Sequence, residues 1–199
     1  ALHMTLRAML MTAYAVVFIL AGGPDLWVGT AASGQDYSSE SSSKTKTCTL
    51  LVAERVAARK IQDWTQLAKI SQRFIMLCSG VLEDRYVADA HGDSSDAHYK
   101  LGDWGEALDH ANSCIDLFYF ATFCHTSKFM ILVELGKLEE AKKSFRVAEQ
   151  VIIHAARQNQ LDVDNADNEA ERDLYRSMAG DYQLSSRIVE LYRPLLGNR

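Results

Sequence analysis

Leu101-Gly102-Asp103-Trp104-Gly105-Glu106-Ala107 and Leu135-Gly136-Lys137-Leu138-Glu139-Glu140-Ala141 are the two stretches on which the fold turns. Gly102 and Gly136, Trp104 and Leu138, Ala107 and Ala141, and Cys114 and Ala148 are each separated by 34 residues. A repeat of this period marks a chain built from stacked copies of one supersecondary unit. Each glycine falls where one helical pattern stops and the next starts, as a residue that tolerates left-handed φ should. The bulky residue two places later can pack across the resulting hairpin. The alanine three places further on lets the two helices approach closely.

The pattern outside the turns is helical as well. Leu138, Ala141, Phe145, Ala148 and Ile152 step by three or four, the spacing of one buried helix face, and Leu67, Ile70, Phe74, Leu77 and Cys78 do the same. A weaker echo of the turn lies at Asp63-Trp64-Thr65-Gln66-Leu67-Ala68, after a helical run from Cys48 to Ile61. Trp64 and Trp104 are 40 residues apart, so about six extra residues separate the first two units, assigned to the polar stretch Asp89–Ser95. The two prolines, Pro24 and Pro194, leave residues 48–193 uninterrupted, which favours long helices over strands and turns. From Glu169 onward Leu174, Met178, Ile188, Leu191 and Leu195 continue an apolar pattern, with a break expected near Gly180-Asp181.

The period and the glycine, aromatic and alanine spacing resemble the tetratricopeptide repeat (TPR) over residues 47–155. Gly102, Trp104, Ala107 and Cys114 fill the turn-glycine, aromatic and two small positions of one unit; Gly136, Leu138, Ala141, Phe145 and Ala148 fill those of the next, and Trp64 marks a preceding one. The middle unit departs from the family pattern, with His91, Ser94, Ser95 and His98 at positions usually aromatic, leucine, glycine and aromatic. In the last unit Phe129 stands where a small residue is usual. The resemblance implies an all-α fold, a right-handed α-solenoid of about three TPR-like hairpins. The segment from Glu169 supplies the capping helix that such stacks need.

What such a stack does follows from its concave side, lined by the first helix of each unit. By resemblance, Val52, Val56 and Arg59, then Asp96, Tyr99 and Lys100, then Phe123, Thr126, Met130 and Val133 face that groove. Aromatic, methionine and charged groups together suit a peptide or partner helix. A C-terminal helix folded back would instead turn these residues into core. The same repeat geometry selects cysteine pairings: Cys48 begins the first helix of unit one and Cys78 ends the second, while Cys114 and Cys124 end and begin adjacent antiparallel helices. Cys48–Cys78 and Cys114–Cys124 are thus disulfide candidates; the alternative is that all four are buried small hydrophobes.

Ahead of the repeats, one arginine (Arg7) precedes a roughly 14-residue uncharged run from Ala8 to Ala21, then Gly22-Gly23-Pro24. This reads as a signal peptide over residues 1–32, or as an uncleaved anchor, since a comfortable span needs about 20 apolar residues. Ala1-Leu2-His3, ahead of Met4, is set aside as vector or upstream reading-frame sequence. Residues 33–46 form a serine-rich tract expected to be a flexible linker, and residues 47–199 the helical domain. Export to the periplasm or outside the cell, with membrane contact only through an uncleaved N-terminus, is the expected localisation. Four cysteines in an exported chain fit a disulfide framework.

Twenty-one Lys and Arg against 26 Asp and Glu give a net charge of −5, which argues against non-specific nucleic-acid binding. No G-x-S-x-G, H-E-x-x-H, P-loop or G-x-G-x-x-G occurs, so neither a cofactor nor a catalytic role is expected. Asp89, His91, Asp93, Asp96 and His98 are metal-ligand types. His91 and His98, however, stand two helical turns apart, roughly 10 Å, and the stretch reads as caps and solvated turns with no metal. Asp162 to Glu169 fails the calcium-loop pattern, since Ala166 falls at the fifth position and Asp173 at the twelfth; it is read as an acidic cap for the terminal helix. His110, His125 and His154 are taken as isolated packing residues. The expected function is a non-catalytic adaptor for a protein or peptide segment. A structural subunit of an envelope assembly is the alternative, with a metal-dependent enzyme at His91 and His98 a distant third.

Overall fold

The computed structural model describes residues 39–197; the signal-peptide expectation for residues 1–32 lies outside them. The described residues fold into seven helices: α1 Ser39–Lys60, α2 Trp64–Cys78, α3 Asp84–Leu101, α4 Trp104–Leu117, α5 Thr122–Glu134, α6 Leu138–Asn165 and α7 Glu169–Leu196. None is long and apolar enough to cross a membrane.

Successive helices pair as hairpins α1/α2, α3/α4 and α5/α6, and α7 packs on both α5 and α6 as the cap. The turns explain the repeat. Gly102 (φ 83°) and Gly136 (φ 71°) are both left-handed. Gly102 donates its N–H to the Tyr99 carbonyl at 3.1 Å and Asp103 donates to His98 at 2.8 Å. Thirty-four residues later Gly136 donates to Val133 at 3.0 Å and Lys137 to Leu132 at 2.9 Å. These bonds satisfy carbonyls that a helix end leaves open. The first hairpin has the same bonds, Gln62 to Arg59 and Asp63 to Ala58, both at 3.0 Å, with Gln62 at φ 58° in place of glycine. Asp63 then accepts the Gln66 N–H at 3.0 Å and caps α2.

Two larger cores fill the stack. Leu51, Leu67, Ile70 and Phe74 join α1 and α2 to Ala90 and Ala97 of α3. Phe129, Phe145, Ile152, Ile188 and Tyr192 join α5, α6 and α7, with Ala107 and Ala111 completing that core from α4. The disulfides tie the layers: Cys48–Cys78 closes the α1/α2 hairpin with Cα atoms 5.8 Å apart, and Cys114–Cys124 links α4 to α5 at 6.2 Å. Each contributes about 3 kcal/mol by restricting the unfolded chain.

Several expectations need correction. The stretch 84–101 is one helix, not caps and turns, and Asp93, Ser94 and Ser95 are buried within it. The extra residues of the first unit lie in α3, 18 residues against 13 in α5, and in the connection 79–83. Helix α1 begins at Ser39, inside the serine-rich tract expected as a linker over 33–46; Thr47 and Thr49 donate back to the carbonyls of Ser43 and Thr45 there. Helix α7 runs through Gly180 without the expected break, because one helical glycine costs only about 1 kcal/mol. Leu77 and Leu138, expected on buried faces, are exposed. Asp162 and Asp164 end α6 rather than cap α7. Gln158 and Gln160 hold them one turn earlier at 2.9 and 2.8 Å.

Candidate functional site

The first helices of the hairpins are α1, α3 and α5, and a charged contact joins the first two. Arg55 donates from Nε and Nη2 to Asp93 Oδ2 at 2.8 and 2.5 Å, and Arg59 pairs with the other carboxylate oxygen. The Arg55 guanidinium also lies 4.9 Å from the centre of the Phe74 ring. Burial lowers its pKa to about 10, against the opposing field of Asp89. A buried charge must be paired, and this pairing sets α1 against α3.

Around this contact the expected groove residues divide into two groups. Val56 is 57% exposed and the Arg59 side chain 45% exposed; Val52, Asp96 and Lys100 are half-buried. The Lys100 ammonium stands 5.8 Å from the Trp64 ring centre and 5.9 Å from that of Tyr99. Burial pulls its pKa down while Asp96 pushes it up. Tyr99, Thr126 and Met130 are buried. Tyr99 donates its hydroxyl to Glu134 at 3.5 Å, and burial, then the neighbouring Tyr192 and Glu134, push its pKa far up. Thr126 bonds back to the Thr122 carbonyl at 2.8 Å, and Met130 sits in the core with Ile188, Val189, Tyr192 and Leu196 of α7. Val133 is half-buried against the same core. Phe123 covers Gly92 of α3 so closely that a Cβ at Gly92 would overlap its ring.

Between α3 and α4 three imidazoles meet. His91 Nδ1 and His110 Nδ1 are 3.0 Å apart. The His110 ring centre lies 5.2 Å from that of His91 and 5.7 Å from that of His98, the latter pair stacked at 17°. Burial and then His110 lower the His91 pKa to about 4; burial and then His98 lower that of His110, against Glu106 and Asp109. His98 Nδ1 is 3.5 Å from the Asp103 carboxylate. Ser95 donates to the Ala107 carbonyl at 2.8 Å and holds the two helices together beside the cluster.

His110 is therefore not the isolated residue expected from the sequence. Gly102 turns the chain so that residue 110 stands level with the gap between 91 and 98, a relation that hairpin counting would have found. His125 stands elsewhere, its Nε2 bonded to the Tyr119 carbonyl at 2.7 Å, and His154 stacks on Phe120 with ring centres 5.0 Å apart. Among the described residues, no group of three or more His, Cys, Asp or Glu is arranged to hold a metal ion.

This arrangement of helical hairpins has solved counterparts. PcrH, solved in complex with the chaperone binding region of PopD, superposes with a TM-score of 0.50 at 19% identity, over 72% of this chain and 94% of PcrH. The TPR2B domain of yeast Sti1, from a complex with pHsp70, gives a TM-score of 0.49 at 17% identity, over 70% of this chain and 96% of the domain. MamA gives 0.34 at 10% identity, over 76% of this chain and 96% of MamA. The chain has the TPR-like all-α solenoid fold. No protein-family model and no curated protein matches it.

Proposed function

We propose that the chain is an exported, non-catalytic adaptor that binds a peptide or protein segment on the α1–α3 part of its inner face. The carrying observation is the division of that face. Val56, Arg59, Asp96 and Lys100 stay accessible around the Asp93 contact, whereas α7 covers the α5 part. An exposed valine beside cationic and anionic groups suits a short segment with apolar and charged side chains. PcrH, which has the same fold, was solved with a protein segment bound, and this supports the kind of partner. Two disulfides support export, because such bonds persist in oxidising compartments.

The test is a photo-crosslinking residue placed at Val56 in the native cell. Val56 is exposed, so the replacement leaves the fold intact. One dominant partner, lost when Arg59→Glu and Lys100→Glu are added, is the expected result. Recovery of self-crosslinks alone, or of a large envelope assembly unaffected by those changes, would overturn the adaptor reading in favour of a structural subunit. Tyr99 and Met130 are poor probes, since their truncation opens the core.

A further inference from the structure

We propose that His91 and His110 form a two-imidazole site for a divalent transition-metal ion of the Zn2+ class, clipping α3 to α4 within the middle hairpin. The two Nδ1 atoms are 3.0 Å apart. Nitrogens bound to one ion at about 2.0–2.1 Å stand about 3.3 Å apart in a tetrahedron and about 2.9 Å apart at a right angle. The observed separation falls between these values, so an ion seated to one side of the line joining the two nitrogens reaches both once the rings turn toward it.

Three further features suit a metal. Both rings are half-buried between α3 and α4, so a bound ion is shielded by the hairpin on one side and open to solvent on the other. The His110 ring is held between His91 and the stacked His98, which fixes its orientation as outer partners of metal ligands do. Glu106 and Asp109, exposed on α4 and acting on His110, add a negative field that favours a cation. Two imidazoles leave the ion's other coordination positions to water, so the site has one protein ligand fewer than a three-ligand open site. The apparent isolation of His91 from His98 along one helix hides this pair, because the second ligand comes from the other arm of the hairpin.

The probe is Zn2+ itself, titrated calorimetrically at neutral pH into the oxidised chain, whose disulfides keep thiols out of competition. One equivalent is expected to bind, with affinity weakened more than about tenfold in His91→Ala and in His110→Ala, and by a smaller factor in His98→Ala, which loses only the ring that holds His110. No binding by the parent chain, or unchanged binding in both variants, would overturn the site and leave the contact an ordinary N–H···N hydrogen bond. Should a variant fold poorly, 15N imidazole spectra of the unaltered chain decide. Zn2+ must shift Nδ1 of His91 and His110 together, and shifts confined to His125 or His154 count against the proposal.

Discussion

Helices α3 and α5 occupy the same place in two successive repeats, yet matching positions on them are filled with different chemistry. Thirty-four residues separate Ser95 from Phe129, and both are completely buried. Ser95 spans a narrow gap by donating to the Ala107 carbonyl. Phe129 fills a wide one, edge-on to Phe145 and Tyr192 with ring centres 5.3 Å away in each case. Asp93 of α3 is buried against two arginines, while its counterpart Ser127 is not buried. His91 and His125 are likewise 34 residues apart, one facing another imidazole and the other a backbone carbonyl. The repeat therefore fixes where helices turn and leaves interior chemistry free. Apolar stability concentrates in the last hairpin with its cap, and sensitivity to charge in the middle one.

That division is tested most strongly by truncating its apolar side. Phe129→Ala removes a ring that packs edge-on against Phe145 and Tyr192 of two other helices and should destabilise by about 4–5 kcal/mol. Ser95→Ala, at the matching position, should cost only about 1 kcal/mol by removing one neutral hydrogen bond between the helices. Urea unfolding measures both, and equal losses would break the contrast. On the polar side, Asp93→Ala leaves Arg55 buried without its main partner. The loss should sit near the lower end for broken buried pairs, about 3 kcal/mol, because Asp89 still acts on Arg55. Replacing the pair together, as Arg55→Met with Asp93→Leu, should recover most of that loss. Failure to recover would mean the pair specifies how α1 sits on α3 as well as satisfying charge.

The sequence displays the apolar side of this contrast far more plainly than the polar side. Gly102 and Gly136 announce two turns because their φ values exclude most side chains. The first turn stays faint because Gln62 takes the same conformation, which no composition rule marks. Asp93, Ser94 and Ser95 read as surface because hydrophobic periodicity registers only apolar groups. What buries Asp93 is Arg55, 38 residues earlier on another helix. The groove residues show the same limit. Their place on first helices follows from the repeat, but whether Met130 meets solvent or α7 depends on where a distant helix packs. The fold is legible where local backbone geometry decides it, and the site is not where long-range partners do.

The smallest predicted effect is also the most selective, because it belongs to the imidazoles. In the unfolded chain a histidine has a pKa near 6.5. In the folded chain burial and the neighbouring ring bring His91 to about 4 and lower His110 as well. Above pH 6.5 both states are neutral and the hairpin has its full stability. As pH falls toward 4 the unfolded chain takes up protons that the folded chain refuses, so stability falls; below about 4 the folded state also protonates and the loss levels off. Solvent screening of these half-exposed rings keeps the total on the order of 1 kcal/mol. His125 also has a lowered pKa, from burial first, with Lys128 adding to the shift and its bond to Tyr119 opposing it. Unfolding curves of the parent, of His91→Gln with His110→Gln, and of His125→Gln across pH 4–7 therefore separate the two repeats. Removing the pair should flatten most of the acid slope and removing His125 only a minor part. The reverse would place the acid-sensitive element in the last hairpin and erase the electrostatic half of the contrast.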